Sequence, residues 1–121
     1  KAHPNEALRY IVIPMEPDYD DASEVNLEDI SKKYEVSISK LMKWNELTSN
    51  TLKEGQILFL EKKNSSGSID TYRAEKGESM YSISQKFAIR LDKLYDKNRM
   101  EYGDKVKEGQ IIYLKNRKPR N

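Results

Sequence analysis

The sequence of 121 residues predicts an α+β fold, two small βααβ units in tandem, the first carrying a long insertion after its first strand. The leading observation is a duplication. Lys53-Glu54-Gly55-Gln56-Ile57-Leu58-Phe59-Leu60 returns as Lys107-Glu108-Gly109-Gln110-Ile111-Ile112-Tyr113-Leu114. Ile30-Ser31-Lys32-Lys33-Tyr34 returns as Ile83-Ser84-Gln85-Lys86-Phe87, Leu41 as Leu94 and Asn45 as Asn98. Self-similarity at a spacing of roughly 50 residues marks repeated structural units. Within each copy, apolar residues at helical spacing lie between short strand-like runs. A small polar stretch, Asn64-Ser65-Ser66-Gly67-Ser68, separates the copies.

The first unit is read over 8–62. Tyr10-Ile11-Val12-Ile13 is its opening strand. Pro14 and Pro17 stop that strand and bar a regular helix, so about 14–25 reads as an inserted acidic loop. Asn26 caps a helix carrying Leu27, Ile30 and Tyr34, and Asp29 at the third helical position resembles a capping box. Ile38, Leu41 and Met42 mark a second helix. Leu58 and Leu60 share one face of the closing strand.

Residues 63–70 read as a flexible linker. The second unit is read over 71–117. Thr71-Tyr72-Arg73-Ala74 is a strand and Lys76-Gly77-Glu78 a turn. Ser79 is placed as an N-cap. Met80, Ile83 and Phe87 share one helical face. Ala88-Ile89-Arg90 turns the chain into a second stripe of Leu91, Leu94 and Tyr95. A polar loop over 98–107 leads to a strand at 110–114. Lys115-Asn116-Arg117-Lys118-Pro119-Arg120 runs into a basic tail at 118–121, and a solvated tail outweighs contact with an anionic polymer. Both closing strands are apolar on two faces. Ile57 and Phe59, like Ile111 and Tyr113, face away from the helices, which predicts cover from the other repeat, the insertion or a parent domain.

Composition narrows the function classes. Lys and Arg number 22 against 20 acidic residues, a net charge of +2, so the chain is not a broad polycation. With no RNA-binding aromatic signature either, nucleic acid is not expected as a partner. There is no cysteine, which excludes disulfide and thiolate chemistry. His3 is the sole histidine, which argues against His-based catalysis and multi-His metal sites. Asp18, Asp20 and Asp21 lack the glycine and terminal glutamate of a calcium loop. No metal or cofactor is therefore expected. No apolar run approaches a membrane span. Opening on Lys1-Ala2-His3-Pro4 with no initiator Met, the chain reads as processed or excised, without its export signal. A glycosidase needs two carboxylates facing one cleft. The acids here alternate with lysines as on solvated surfaces, and the chain is read as non-catalytic.

Tyr72-Arg73-Ala74-Glu75-Lys76-Gly77-Glu78-Ser79-Met80-Tyr81-Ser82-Ile83 resembles the opening of a LysM (lysin motif) domain. Leu94-Tyr95-Asp96-Lys97-Asn98 is similar to the end of that family's second helix, and 106–114 to its closing strand. Leu41-Met42-Lys43-Trp44-Asn45-Glu46-Leu47 and Leu52-Lys53-Glu54-Gly55-Gln56 match in the first unit. The resemblance implies a βααβ fold and binding of N-acetylglucosamine-containing glycan, peptidoglycan or chitin, beside a cell-wall hydrolase in the bacterial envelope. The pair also resembles the C-terminal part of Bacteroidetes-type glucosaminidases, which implies such a parent catalytic domain.

The family's groove lies between the loop after strand one and the loop after helix two. Carried onto the second unit, this implies Gly77, Glu78, Ser79 and Met80 on one wall and Asn98, Arg99, Met100, Glu101 and Tyr102 on the other. Gly77 permits close backbone approach, and Met100 and Tyr102 offer apolar contact. For Asn98, turn formation outweighs ligand contact, and Met80 is read as core. In the first unit a second site would use Asn26, Leu27, Asn45, Glu46, Leu47 and Thr48. Its Gly-Asp-Thr element is missing, so this copy is read as a structural partner more than a second binder. Trp44 is read as packing, not sugar stacking. The alternative function is a protein-interaction or structural module of the envelope with weak glycan binding or none.

Overall fold

The computed structural model describes residues 8–13, 26–53 and 55–120. These group into two compact units, one within Leu8–Lys62 and one beginning at Lys63. The first runs β1 (Tyr10–Val12), α1 (Leu27–Tyr34), α2 (Ile38–Trp44), β2 (Ile57–Phe59). The second runs β3 (Thr71–Arg73), α3 (Met80–Phe87), α4 (Leu91–Lys97), β4 (Ile111–Tyr113). The βααβ order read from the sequence is therefore the order of both units. The inserted segment 14–25 lies outside the described residues. Among the described residues no helix is long and apolar enough to cross a membrane.

Each unit holds one antiparallel strand pair. Tyr10, Ile11 and Val12 lie opposite Phe59, Leu58 and Ile57. Thr71, Tyr72 and Arg73 lie opposite Tyr113, Ile112 and Ile111. The period-2 alternation of a strand sends Leu58 and Leu60 into a core with Ile13, Leu27, Ile30, Val36 and Leu41. In the second unit Ile112 and Leu114 pack with Ala74, Met80, Ile83, Phe87, Ile89, Leu91 and Leu94. On the outward faces the copies differ. Phe59 is fully buried, its ring 6.0 Å from that of Tyr10, whereas its counterpart Tyr113 is half-buried.

In the repeated Lys-Glu-Gly-Gln motif the described residues form a turn. Gly55 and Gly109 have φ of 77° and 85°, left-handed values that glycine adopts at no steric cost. The Gln56 and Gln110 side chains accept from the backbone N–H of Lys53 and Lys107 at 2.8 and 3.0 Å. The turn then enters the ladder, Gly55 donating to Ile13 and Gly109 to Ala74.

The helix starts follow the capping rules. Asn26 accepts from the Asp29 N–H at 2.8 Å and donates to its carboxylate at 3.0 Å. Ser79 and Ser82 form a reciprocal capping box. Both first helices end on a non-glycine left-handed residue, Glu35 and Ala88.

Residues 63–70 differ from the expected flexible connection. Asn64 donates to Ala88 and accepts from Arg90, pairing with the turn at Ile89. Gly67 donates to Leu114, and Leu114 to Asp70. Lys63 is 3% exposed, its amine 2.7 Å from Gln85 Oε1. A Cβ on Gly67 would stand 3.1 Å from Ile89 Cδ1 and 3.3 Å from Leu114 Cβ. The small residues here allow close packing on the second unit, and the segment is part of that unit.

Candidate functional site

The first wall of the second unit is a turn held from beneath. The Glu78 carboxylate accepts from the Glu75 N–H at 2.8 Å, from the Tyr72 hydroxyl at 2.8 Å and from the Lys86 amine at 2.9 Å. Lys86 also donates to the Tyr72 oxygen at 2.7 Å and lies 4.8 Å from that ring's centre. Burial opposes ionisation of Glu78, but hydrogen bonds from Glu75, Lys86 and Tyr72 outweigh it and hold its pKa below the usual carboxylate value. Hydrogen bonding to Tyr72 raises the Lys86 pKa against desolvation, with Glu78 adding to the rise. Burial raises that of the Tyr72 phenol. Glu78 is thus committed to shaping the turn. Gly77 crowns it with φ of 86° and open space where a Cβ would be. Ser79 is engaged as the α3 cap. Met80 is 1% exposed and belongs to the core, so it offers no side chain to a ligand.

On the expected second wall, Asn98 is also turned inward, at 4% exposure. Its amide donates to the carbonyls of Leu94 and Tyr113 at 2.8 and 3.0 Å and accepts from the Tyr113 N–H at 2.6 Å. Asn45 makes the same three bonds to Leu41 and Phe59. Both amides tie the end of the second helix to the closing strand, the turn-forming role that outweighs ligand contact for Asn98 in the sequence. Arg99 follows at φ of 55°, its Nε bonded to the Lys118 carbonyl at 2.7 Å, so it faces the C-terminal run. The Glu101 N–H donates to Asp104 at 2.8 Å. Tyr102 is 75% exposed, its ring 5.0 Å from that of Tyr95. Met100 joins Asp104, Lys105, Lys107, Glu108, Gly109 and Gln110 around an open cavity of about 750 Å³. Gly77, Glu78, Ser79 and Met80 do not line it. The sequence reading missed the closing turn as a cavity edge, although the repeated Gly109-Gln110 pair marked it.

The first unit brings together residues that sequence order separates. Asn26, Leu27 and Glu28 at the start of α1 line a cavity of about 270 Å³ with Ile38 and Asn50. Asn26 and Leu27 were expected at a site; Asn45, Glu46, Leu47 and Thr48 do not line this cavity. Glu46 is a left-handed residue after the Asn45 strut, as Arg99 is after Asn98. Asn50 was not anticipated, its only signal being the polar run Thr48-Ser49-Asn50. Trp44 packs against the core, as its place near a helix end suggests.

Comparison with known proteins adds the following. The LysM domain family model matches residues 26–60 and 72–115. The chain is 33% identical over 96 residues to the probable peptidoglycan endopeptidase LytE of Bacillus subtilis (strain 168), covering 74% of this chain and 28% of that protein. It is 28% identical over 102 residues to the autolysin of Enterococcus faecalis (strain ATCC 700802 / V583), covering 74% of this chain and 14% of that one. It is 31% identical over 101 residues to the membrane-bound lytic murein transglycosylase D of Escherichia coli (strain K12), covering 74% and 21%. The match thus spans between 14% and 28% of these relatives' lengths.

Proposed function

This chain belongs to the LysM domain family, and on that premise we propose that it is a non-catalytic module binding N-acetylglucosamine-containing glycan, peptidoglycan foremost and chitin-type chains second. It would hold a cell-wall hydrolase, such as a glucosaminidase, against its substrate in the bacterial envelope. One observation carries this reading: two LysM segments stand in a chain whose relatives are named as a peptidoglycan endopeptidase, an autolysin and a murein transglycosylase.

The geometry supports particular contacts. In the second unit the open backbone at Gly77 and the accessible Met100, Glu101 and Tyr102 suit a sugar, which needs hydrogen bonds at its rim and apolar contact on its face. In the first unit, the 270 Å³ cavity has Asn26 and Asn50 for polar contacts and Leu27 and Ile38 for an apolar floor. That cavity supports a second site in the copy whose sequence suggested a structural role. Two modest sites on one chain gain through effective concentration.

The test is co-sedimentation with purified peptidoglycan beside chitin, together with release of muropeptides or reducing ends. Retention that persists in salt, with nothing released, is the expected result. Absence from both pellets would shift the assignment to protein interaction.

A further inference from the structure

The basic end of the chain is folded back onto the second unit. The Lys118 N–H donates to the Lys97 carbonyl at the end of α4, and Arg99 Nε donates to the Lys118 carbonyl. Arg117 reaches Asp96 at 3.4 Å. These bonds bring Arg99, distant in sequence, beside Lys118 and its neighbour Arg117, with Arg120 two residues on, all of them exposed. Partial desolvation and then the charges of Arg117 and Arg120 lower the Arg99 pKa, with Asp96 acting in the opposite sense. Neutral backbone bonds hold like charges together here, at a left-handed residue besides. The two Nη groups of Arg99 and the whole Arg120 side chain have no hydrogen-bond or ion-pair partner among the described residues.

We propose that Arg99, Arg117, Lys118 and Arg120 form a docking surface for linear polyphosphate, a chain of anhydride-linked phosphates, separate from the glycan contacts above. A guanidinium presents a planar fork that suits phosphate oxygens, and several forks can share one tetrahedral phosphate. A chain of phosphates matches a surface that spans the α4 end and the C-terminal run. The near-balanced total charge makes this local gathering the feature to explain.

The probe is linear inorganic polyphosphate, which carries neither base nor sugar, titrated into the full chain and followed by amide NMR shifts. Poly-glutamate and single-stranded DNA serve as parallel arms. Shifts should concentrate at 96–99 and 115–120. The double variant Arg117→Ala/Arg120→Ala should weaken polyphosphate about tenfold. It should also flatten the dependence of log K on log salt by about two, one per lost phosphate contact, while retention on peptidoglycan is unchanged. Both side chains are exposed, so the variant should keep its unfolding midpoint. Shifts spread evenly over the other lysines, poly-glutamate binding as tightly as polyphosphate, or DNA binding more tightly would each overturn the proposal. Because polyphosphate contains no glycan, failure here and failure of the peptidoglycan assay are distinguishable.

Discussion

Asn98 and Asn45, both buried, each make three hydrogen bonds to backbone at a helix end and a closing strand. Leaving a buried donor or acceptor unmet is costly, so Asn98→Ala should lower stability by about 2–4 kcal/mol. Asn98→Asp should be no better, since a carboxylate cannot donate to the Leu94 and Tyr113 carbonyls. Urea unfolding of both variants measures this. The duplication pointed to Asn98, and residue type favoured a turn role; its partners on the closing strand lie 15 residues away and were not legible from the sequence. Glu35 shows the opposite case. It is exposed and left-handed, with φ of 59°. Glu35→Gly should raise stability by roughly 0.5–1 kcal/mol, because glycine carries no Cβ penalty there. An unchanged or lower urea midpoint would contradict that account.

At the scale of elements, the turn between β3 and α3 depends on the Tyr72, Glu78 and Lys86 network, and its pH dependence has a definite sign. The folded Glu78 pKa lies below its ordinary 4.5, so its contribution is present above that value and is lost as pH falls through the folded pKa. Lys86 and Tyr72 are raised above 10.5 and 10.0, so their contributions are full below those values and fade as pH rises through the folded pKa. The unfolding midpoint of the second unit should therefore form a plateau between the carboxylate and phenol ranges and fall on both sides. Glu78→Gln should flatten the acid limb, and thermal scans across pH with and without the substitution test this. The helices and strands themselves were legible from apolar spacing and caps. The commitment of Glu78 was not, because its partners Tyr72 and Lys86 lie on other elements, one before it and one after.

At the scale of the whole molecule, 63–70 is the clearest difference between composition and structure. Ser and Gly read as flexible because they bury little and restrict little. Here the same small size lets Gly67 approach Ile89 and Leu114 closely. Gly67→Ala should thus cost about 1 kcal/mol through forced repacking, whereas in a free linker it would be neutral. A fragment beginning at Lys63 should likewise unfold at a higher temperature than one beginning at Thr71, because the shorter one loses the Asn64 pairing and the Gly67 bond to Leu114. Calorimetry of the two fragments, with the substitution in the longer one, checks both.

By itself the sequence determined the repeated units, their βααβ order, the core-facing residues and the family, because these rest on local spacing and on motifs that appear twice. Only the tertiary structure decided what each marked residue does. It turned Asn98, Met80 and Glu78 toward the fold, joined Asn26 to Asn50 around one cavity, laid 63–70 on the second unit and brought Arg99 to the C-terminal arginines. The physical reason is that hydrogen-bond partners and close packing are set by distances between residues far apart in the chain, and a linear pattern does not contain those distances.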